Sequence, residues 1–152
     1  MFGALARWLR GAGYDTFWQE GIPDSELIDL ARENDLIVLT ADTGILKRNV
    51  VVRGQVRALF VPPDLPRHKQ TAYVLNTLSL RRQRPRCMAC GGELAALDRE
   101  EARARVPPGA FRNSERFFQC RRCGKAYWSG SHWENIDRRL RELARISHQF
   151  SG

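Results

Sequence analysis

Apolar residues recur at helical spacing from the first turn of the chain. In "GALARWLRG", Leu5, Trp8 and Leu9 fall on one face and Arg7 and Arg10 on another, which predicts an amphipathic helix over residues 3–12. Tyr14 to Trp18 reads as a short strand. Asp24 to Glu33 sets Leu27, Ile28, Leu30 and Ala31 on one side of a second helix. Leu36 to Leu39 is a continuous apolar run closed by Thr40, the pattern of a buried parallel strand. Asp42 to Arg48 reads as a short helix or turn. Ala58 to Val61 reads as another buried strand, stopped by Pro62-Pro63. Residues 67–81 form a further amphipathic pattern with Tyr73, Val74, Leu75 and Leu78 inward. Helices alternating with buried strands predict an α/β fold: a parallel sheet with helices on its faces.

The pattern changes at "RRQRPR" (81–86), a charged linker broken by Pro85. From Cys87 to Gly130 the chain is rich in turn residues and holds all four cysteines. Ser131 to Glu134 fits a capping box. It would open a last helix through Ile146, with Ile136, Leu140 and Leu143 as its apolar stripe and Glu134–Arg138 and Asp137–Arg141 as pairs on its wet side. Two domains are expected, residues 1–82 and residues 83–152.

Composition bounds this picture. With 152 residues and 43% hydrophobic content, the chain suits one ordinary domain, or a small one with a metal-stapled companion. No apolar run approaches the roughly 20 residues of a membrane helix. The opening residues lack the basic-then-apolar plan of a signal peptide, so a cytoplasmic protein is expected. The net charge is +8, from 25 Lys/Arg against 17 Asp/Glu. The excess runs through both parts: 12 against 9 in residues 1–85, and 13 against 8 in residues 86–152. Such a surface fits a polyanion such as nucleic acid. Solubility in an arginine-rich protein, with 22 Arg to 3 Lys, is the plainer alternative.

The cysteines bring the first definite chemistry. Cys87-Met88-Ala89-Cys90-Gly91 and Cys120-Arg121-Arg122-Cys123-Gly124 are matching knuckles. Each Cys-x-x-Cys turn aims two sulfurs at one point, and the following Gly can take positive φ so that amides face the thiolates. Two such turns complete a four-sulfur shell suited to Zn²⁺, with no open position, hence structural. The segment between them is long enough for a small β-hairpin. Two disulfides fit poorly without a secretory signal, and a redox motif would be expected once rather than twice. Arg121, Arg122 and Lys125, with Tyr127 and Trp128 just after, could grip phosphates and stack bases. Alternatively Tyr127 and Trp128 pack the ribbon on its neighbour, the reading favoured for Trp128.

Two acids stand out by position. Asp42 follows the carboxyl end of the "LIVLT" strand, where open α/β sheets place their sites. Asp24 opens the "DSELIDLA" helix. Together they could hold Mg²⁺ or Mn²⁺, which activates water and neutralises a phosphate under attack. Each has a structural alternative: Asp24 as a helix N-cap, Asp42 as the cap of the turn at 43–48. Glu26 is a reserve ligand and Asp29 a solvated helix residue. Lys47 and Arg48 could bind phosphate or simply end a helix in water. His68 and His148 read as surface residues, and His132 belongs to the start of the last helix.

In this order, "GALARWLRGAGYDTFW", "DSELIDLARENDLIVLTADTGILKR", the two knuckles, "RVPPGAF" and "YWSGSHWENI" resemble the Mut-seven C-terminal RNase domain family, from about Gly3 to about Ile136. The resemblance implies a PIN-like nuclease fold followed by a zinc ribbon, and metal-dependent cleavage of RNA by acidic residues at strand ends. It carries over Asp24 and Asp42 as site acids, the four cysteines as ribbon ligands, and Thr40 as a residue that orients the site. It also implies a departure. The family opens with a strand ending in Asp, and here Met1-Phe2-Gly3 aligns inside the motif that follows it. Without that strand the sheet would gain an open edge and the site would lose a carboxylate.

Three functions are then in play. The first is a ribonuclease with Asp24 and Asp42 on a divalent metal, a structural zinc ribbon, and RNA contacts from Lys47, Arg48, Arg121, Arg122 and Lys125. The second is a non-catalytic RNA- or partner-binding zinc-ribbon protein. The third, a toxin of a toxin–antitoxin pair, rests on fold analogy alone and sits badly with an appended ribbon. No motif in the chain specifies an RNA sequence, a cleavage polarity, a preferred metal or an oligomeric state.

Overall fold

The computed structural model describes residues 2–129 together with Arg138 and Arg141. The expected last helix, with its capping box, apolar stripe and ion pairs, and His132 and His148, lies outside the described residues. In chain order the elements are α1 (Gly3–Gly11), α2 (Asp24–Asn34), β1 (Val38–Thr40), α3 (Thr43–Leu46), α4 (Asn49–Val52), β2 (Ala58–Phe60), α5 (Arg67–Thr77), β3 (Leu94–Leu97), α6 (Arg99–Arg103), α7 (Pro108–Asn113), β4 (Phe117–Cys120) and β5 (Ala126–Trp128). They form two units: Gln19–Pro66, and Met1–Trp18 with Arg67–Gly152.

The unit Gln19–Pro66 is a short α/β layer. Pro23, in extended conformation, leads into α2, whose first turn carries Asp24 and Glu26 where negative charge suits the helix dipole. Asp35 ends the helix in the left-handed conformation, and Leu36 N–H closes onto the Ala31 carbonyl at 2.8 Å. That closure explains why the strand starts at Val38 and not at Leu36, which is 40% exposed. β1 and β2 pair in parallel with Val38 opposite Ala58, Leu39 opposite Leu59 and Thr40 opposite Phe60. The α3–α4 segment makes the crossover that a parallel pair requires. Ile28, Ala31, Val38, Ile45 and Val56 form the buried core, edged by Leu27, Val50, Val51 and Ala58.

In the second unit α1 packs on α5. Leu5 and Leu9 are buried on α1, as its pattern predicts, with Ala6 beside them and Trp8 half-buried; on α5 Val74 and Leu75 are buried as expected, with Thr71, while Tyr73 is half-buried. Two expectations fail here. Arg10 does not point to water but is buried, at 7% exposure. Tyr14 to Trp18 is not a strand. The Thr16 carbonyl accepts the Arg10 Nε at 2.9 Å, the Tyr14 hydroxyl donates to the Arg81 carbonyl, and Phe17 and Trp18 remain largely exposed. Side chains, not a ladder, hold that segment.

The cysteine-bearing part is an antiparallel sheet in the order β3-β4-β5. Leu97, Ala102, Val106 and Phe117 are its core, with Phe111, Ala126 and Trp128 against them. More than a hairpin separates the knuckles: α6 and α7 are inserted between β3 and β4. "REEAR" is a run of good helix formers, and Pro107-Pro108 starts the second helix with proline at its first position. Among the described residues no helix is long and apolar enough to cross a membrane.

Candidate functional site

The two knuckles repeat one hydrogen-bond plan. Gly91 N–H bonds the Cys87 carbonyl at 2.7 Å, and Gly124 N–H the Cys120 carbonyl at 3.0 Å. Cys87 N–H bonds the Gly92 carbonyl at 2.8 Å, and Cys120 N–H the Lys125 carbonyl at 2.9 Å. Both closures need left-handed backbone, and Gly91 (φ 86°) and Gly124 (φ 79°) supply it. Amides then face sulfur, as the spacing predicts: Gly92 N–H toward Cys90 Sγ at 3.4 Å, and Arg122 and Cys123 N–H toward Cys120 Sγ at 3.3 and 3.4 Å.

The sulfurs converge. Cys87 and Cys123 Sγ lie 3.6 Å apart, Cys90 and Cys120 Sγ 3.5 Å apart, and all four lie within 4.8 Å of one another. Sulfurs about 2.3 Å from a central tetrahedral zinc stand about 3.8 Å apart, whereas a disulfide needs about 2 Å. The four thiols are free and their spacing fits a metal, not cross-links.

The local electrostatics ask for a cation. Burial pushes the Cys87 thiol up, but the Tyr127 hydroxyl, 2.9 Å from its sulfur, and nearby amides turn the net effect downward. Burial acts likewise on Cys120, where the amides of Cys123 and Arg122 dominate and bring it to about 6. Cys90 goes the other way, to about 12, through burial and the sulfurs crowding it. Four sulfurs this close cannot all be thiolates without a compensating charge, which a divalent ion provides. Tyr127, raised by its own burial and by Cys87, holds its hydroxyl against the sulfur.

Side chains other than the cysteines hold the cluster. The Arg10 guanidinium donates to the carbonyls of Met88 (2.9 Å) and Ala89 (3.3 Å), the two residues between the first pair of cysteines. Arg122 ion-pairs with Asp15 at 3.0 Å and also donates to the Cys90 carbonyl at 3.0 Å. Arg86 reaches the Gly91 carbonyl at 2.6 Å and stands 3.9 Å from Asp15. Asp15 therefore links the approach to the first knuckle with the middle of the second. None of this follows from spacing, because an arginine written beside a knuckle looks the same whether it faces water or an aspartate more than a hundred residues away. Arg121 and Lys125 are exposed; the Lys125 ammonium lies 5.5 Å from the Tyr127 ring. Trp128 packs against the core of the β3–β5 sheet itself.

Both candidate acids belong to the unit Gln19–Pro66. Asp42 stands just beyond β1. Its backbone N–H bonds the hydroxyl of buried Thr40 at 2.9 Å, and its Oδ1 accepts the Gly44 N–H at 2.8 Å, so it does cap α3. The other carboxylate oxygen stays outside that cap. Gly44 permits the approach, since a Cβ there would sit 3.0 Å from Asp42 Oδ1. Asp24 is not the N-cap of α2; Pro23 holds that position and no side chain caps the helix. The Asp24 carboxylate instead meets Arg48 at 3.9 Å, both half-exposed. Lys47 is exposed beside it. Among the described residues no three acids converge as the cysteines do, so Glu26 does not complete a trio with Asp24 and Asp42.

The units differ in charge. Residues 19–66 hold 8 Asp/Glu against 5 Lys/Arg, and the rest of the chain 9 against 20. The family model described as the Mut7-C RNAse domain matches residues 1–140. No curated protein and no solved structure matches the chain.

Proposed function

This chain belongs to the Mut7-C RNAse domain family, and from that footing we propose a metal-dependent ribonuclease with a PIN-like acidic site and a structural zinc ribbon. The family match over 140 residues carries the reading; the placement of Asp42 supports it. Asp42 lies at the carboxyl end of a parallel strand, the usual address of an α/β site, and its cap leaves one oxygen for a ligand. Asp24 and Asp42 would hold Mg²⁺ or Mn²⁺, which supplies an activated water and neutralises the phosphate under attack.

The protein groups have separate roles. Thr40 holds the backbone of Asp42, and the Gly44 N–H holds its carboxylate. Arg48, already at Asp24, and Lys47 beside it offer cations to a phosphodiester. Arg121 and Lys125 add exposed positive charge at the second knuckle; Arg122 does so only by leaving Asp15. Zn²⁺ on Cys87, Cys90, Cys120 and Cys123 folds the ribbon and takes no part in hydrolysis, since four thiolates leave it no open position. RNA is the expected substrate and partner.

The test is cleavage of a labelled single-stranded RNA by the zinc-loaded chain, with and without Mg²⁺ or Mn²⁺, beside Asp42→Asn. Asparagine can still cap α3, so the fold should persist while metal-dependent cleavage falls at least a hundredfold. Binding without cleavage in the unsubstituted chain would replace the enzyme with the second reading, an RNA-binding zinc-ribbon protein. That reading draws on Asp24 and Asp42 each having a protein partner already.

A further inference from the structure

Outside both sites the structure gathers cations on one aromatic ring. In the insertion between β3 and β4, the Arg99 guanidinium lies 4.3 Å from the centroid of Phe111, and that of Arg103 lies 5.4 Å from the same centroid. The two charges therefore stand no more than about 10 Å apart. Phe111 stacks on Phe117, centroids 5.7 Å apart, and Arg99 also reaches Phe117 at 5.9 Å. Phe117 is a buried core residue, so the platform is anchored in the sheet.

The charges on this platform are unequally balanced. Glu100 is 3.7 Å from Arg103, an exposed pair of little strength. Arg99 has no carboxylate among the described residues; its NH1 donates to the Ser114 carbonyl at a long 3.4 Å. A guanidinium held over a ring by cation–π attraction still has N–H groups free to donate beyond the arene. Most of its conformational freedom is already gone, so a phosphate can be gripped by the fork at low entropic cost. Two like charges sharing one ring, with one weak counter-ion on Arg103 alone, favour an anion that spans both. The segment 94–129 holds 8 Lys/Arg against 4 Asp/Glu, which extends the same field.

We propose that the Arg99–Arg103–Phe111 platform of α6 and α7 is a phosphodiester-binding site for the backbone of single-stranded RNA. It is separate from the acidic pair and from the zinc knuckles, and it rests on the reading of RNA as substrate. Its task is affinity, not chemistry: the contacts are to phosphate and so independent of sequence.

The probe is a fluorescein-labelled, unstructured 20-nucleotide RNA, titrated by anisotropy with the zinc-loaded chain carrying Asp42→Asn to prevent cleavage. Each phosphate contact on a single strand contributes a slope of about −0.7 in log K against log salt, or about fivefold in affinity at 0.1 M. Arg99→Gln/Arg103→Gln, which keeps side-chain bulk over the ring, should weaken binding about 25-fold at 0.1 M salt and flatten the slope by about 1.4. Glu100→Gln, which removes the competing carboxylate, should tighten binding a few-fold, a gain that misfolding could not mimic. If both variants bind with unchanged affinity and slope while the parent binds, the platform is not a binding site and the ribonuclease reading stands. If the parent itself fails to bind RNA, the substrate reading falls and this site falls with it.

Discussion

Arg10→Met removes a buried cation whose only described partners are carbonyl oxygens. The guanidinium is 7% exposed and donates to Thr16 and Met88 at 2.9 Å each and to Ala89 at 3.3 Å. A hydrogen bond from a charged group is worth about 1.5–3 kcal/mol, so the two short bonds represent about 3–6 kcal/mol. Against this, methionine fills much of the volume and relieves the desolvation of the lone charge, a cost of several kcal/mol that only good hydrogen bonding offsets. The carbonyls left without a donor limit that relief. We expect a net loss of about 2–4 kcal/mol. In a chain of this size, 3 kcal/mol corresponds to a fall of about 6–12 °C in Tm. Met88 and Ala89 lie between Cys87 and Cys90, so the same change should speed metal loss from the first knuckle by about tenfold. Urea unfolding at a buffered free-zinc level, and zinc transfer to a chromophoric chelator, read the two effects separately. Arg10→Lys keeps the charge but not the fork and should fall between. Parental stability and release rate in Arg10→Met would refute the claim that this arginine ties α1 to the ribbon.

Tyr127→Phe deletes the hydroxyl on Cys87 Sγ at 2.9 Å and should lower zinc affinity about tenfold in chelator competition, with little loss of the sheet. Gly91→Ala places a Cβ 2.3 Å from Asp15 Oδ1 at a φ of 86°, and should cost about 2–3 kcal/mol in urea unfolding while loosening the Asp15–Arg122 pair. Gly44→Ala brings a Cβ to 3.0 Å from Asp42 Oδ1; stability should fall by about 1 kcal/mol, but RNA cleavage by more than that accounts for. Stripping the metal with a strong thiol-competitive chelator should abolish the β3–β5 fold, visible as loss of amide protection across that sheet.

The sequence made legible whatever obeys a local rule. The knuckles, their positive-φ glycines and the convergence of four sulfurs follow from Cys-x-x-Cys-Gly written twice. The burial of Leu5 and Leu9, of Ile28 and Ala31, and the β1–β2 pair follow from periodicity. Side chains recruited over long sequence distances were not legible. Arg10 sits at a polar position of its helix pattern, yet the distant carbonyls of Met88 and Ala89, with that of nearby Thr16, draw it inward. Tyr14 to Trp18 has the composition of a strand, but no neighbouring ladder receives it and Asp15 is spent on arginines of the ribbon. For the two candidate acids the structure separates what sequence left open. It shows the cap at Asp42 and denies one at Asp24, where Arg48 supplies the partner instead.

Charge shows most clearly why order along the chain is a poor guide to function here. Divided at residue 85, both parts are basic, and the excess looks like general solubility. Divided into the units of the fold, residues 19–66 hold three more acids than bases while the remainder holds 20 Lys/Arg against 9 Asp/Glu. An acidic unit concentrates divalent cations and repels a polyanion; a basic one does the reverse. A hydrolase for phosphodiesters needs both properties, and one evenly mixed surface would weaken each. The metal requirement of the proposed reaction then has a second origin beyond the chemistry at phosphorus. Until a cation neutralises the carboxylates around Asp24 and Asp42, the unit bearing them opposes the approach of the strand it would cut. Divalent metal should therefore improve RNA affinity as well as cleavage in the parent chain, and Asp24→Asn/Asp42→Asn should bind RNA more tightly than the parent when only zinc is present. Weaker binding by that variant would overturn this account of the acids.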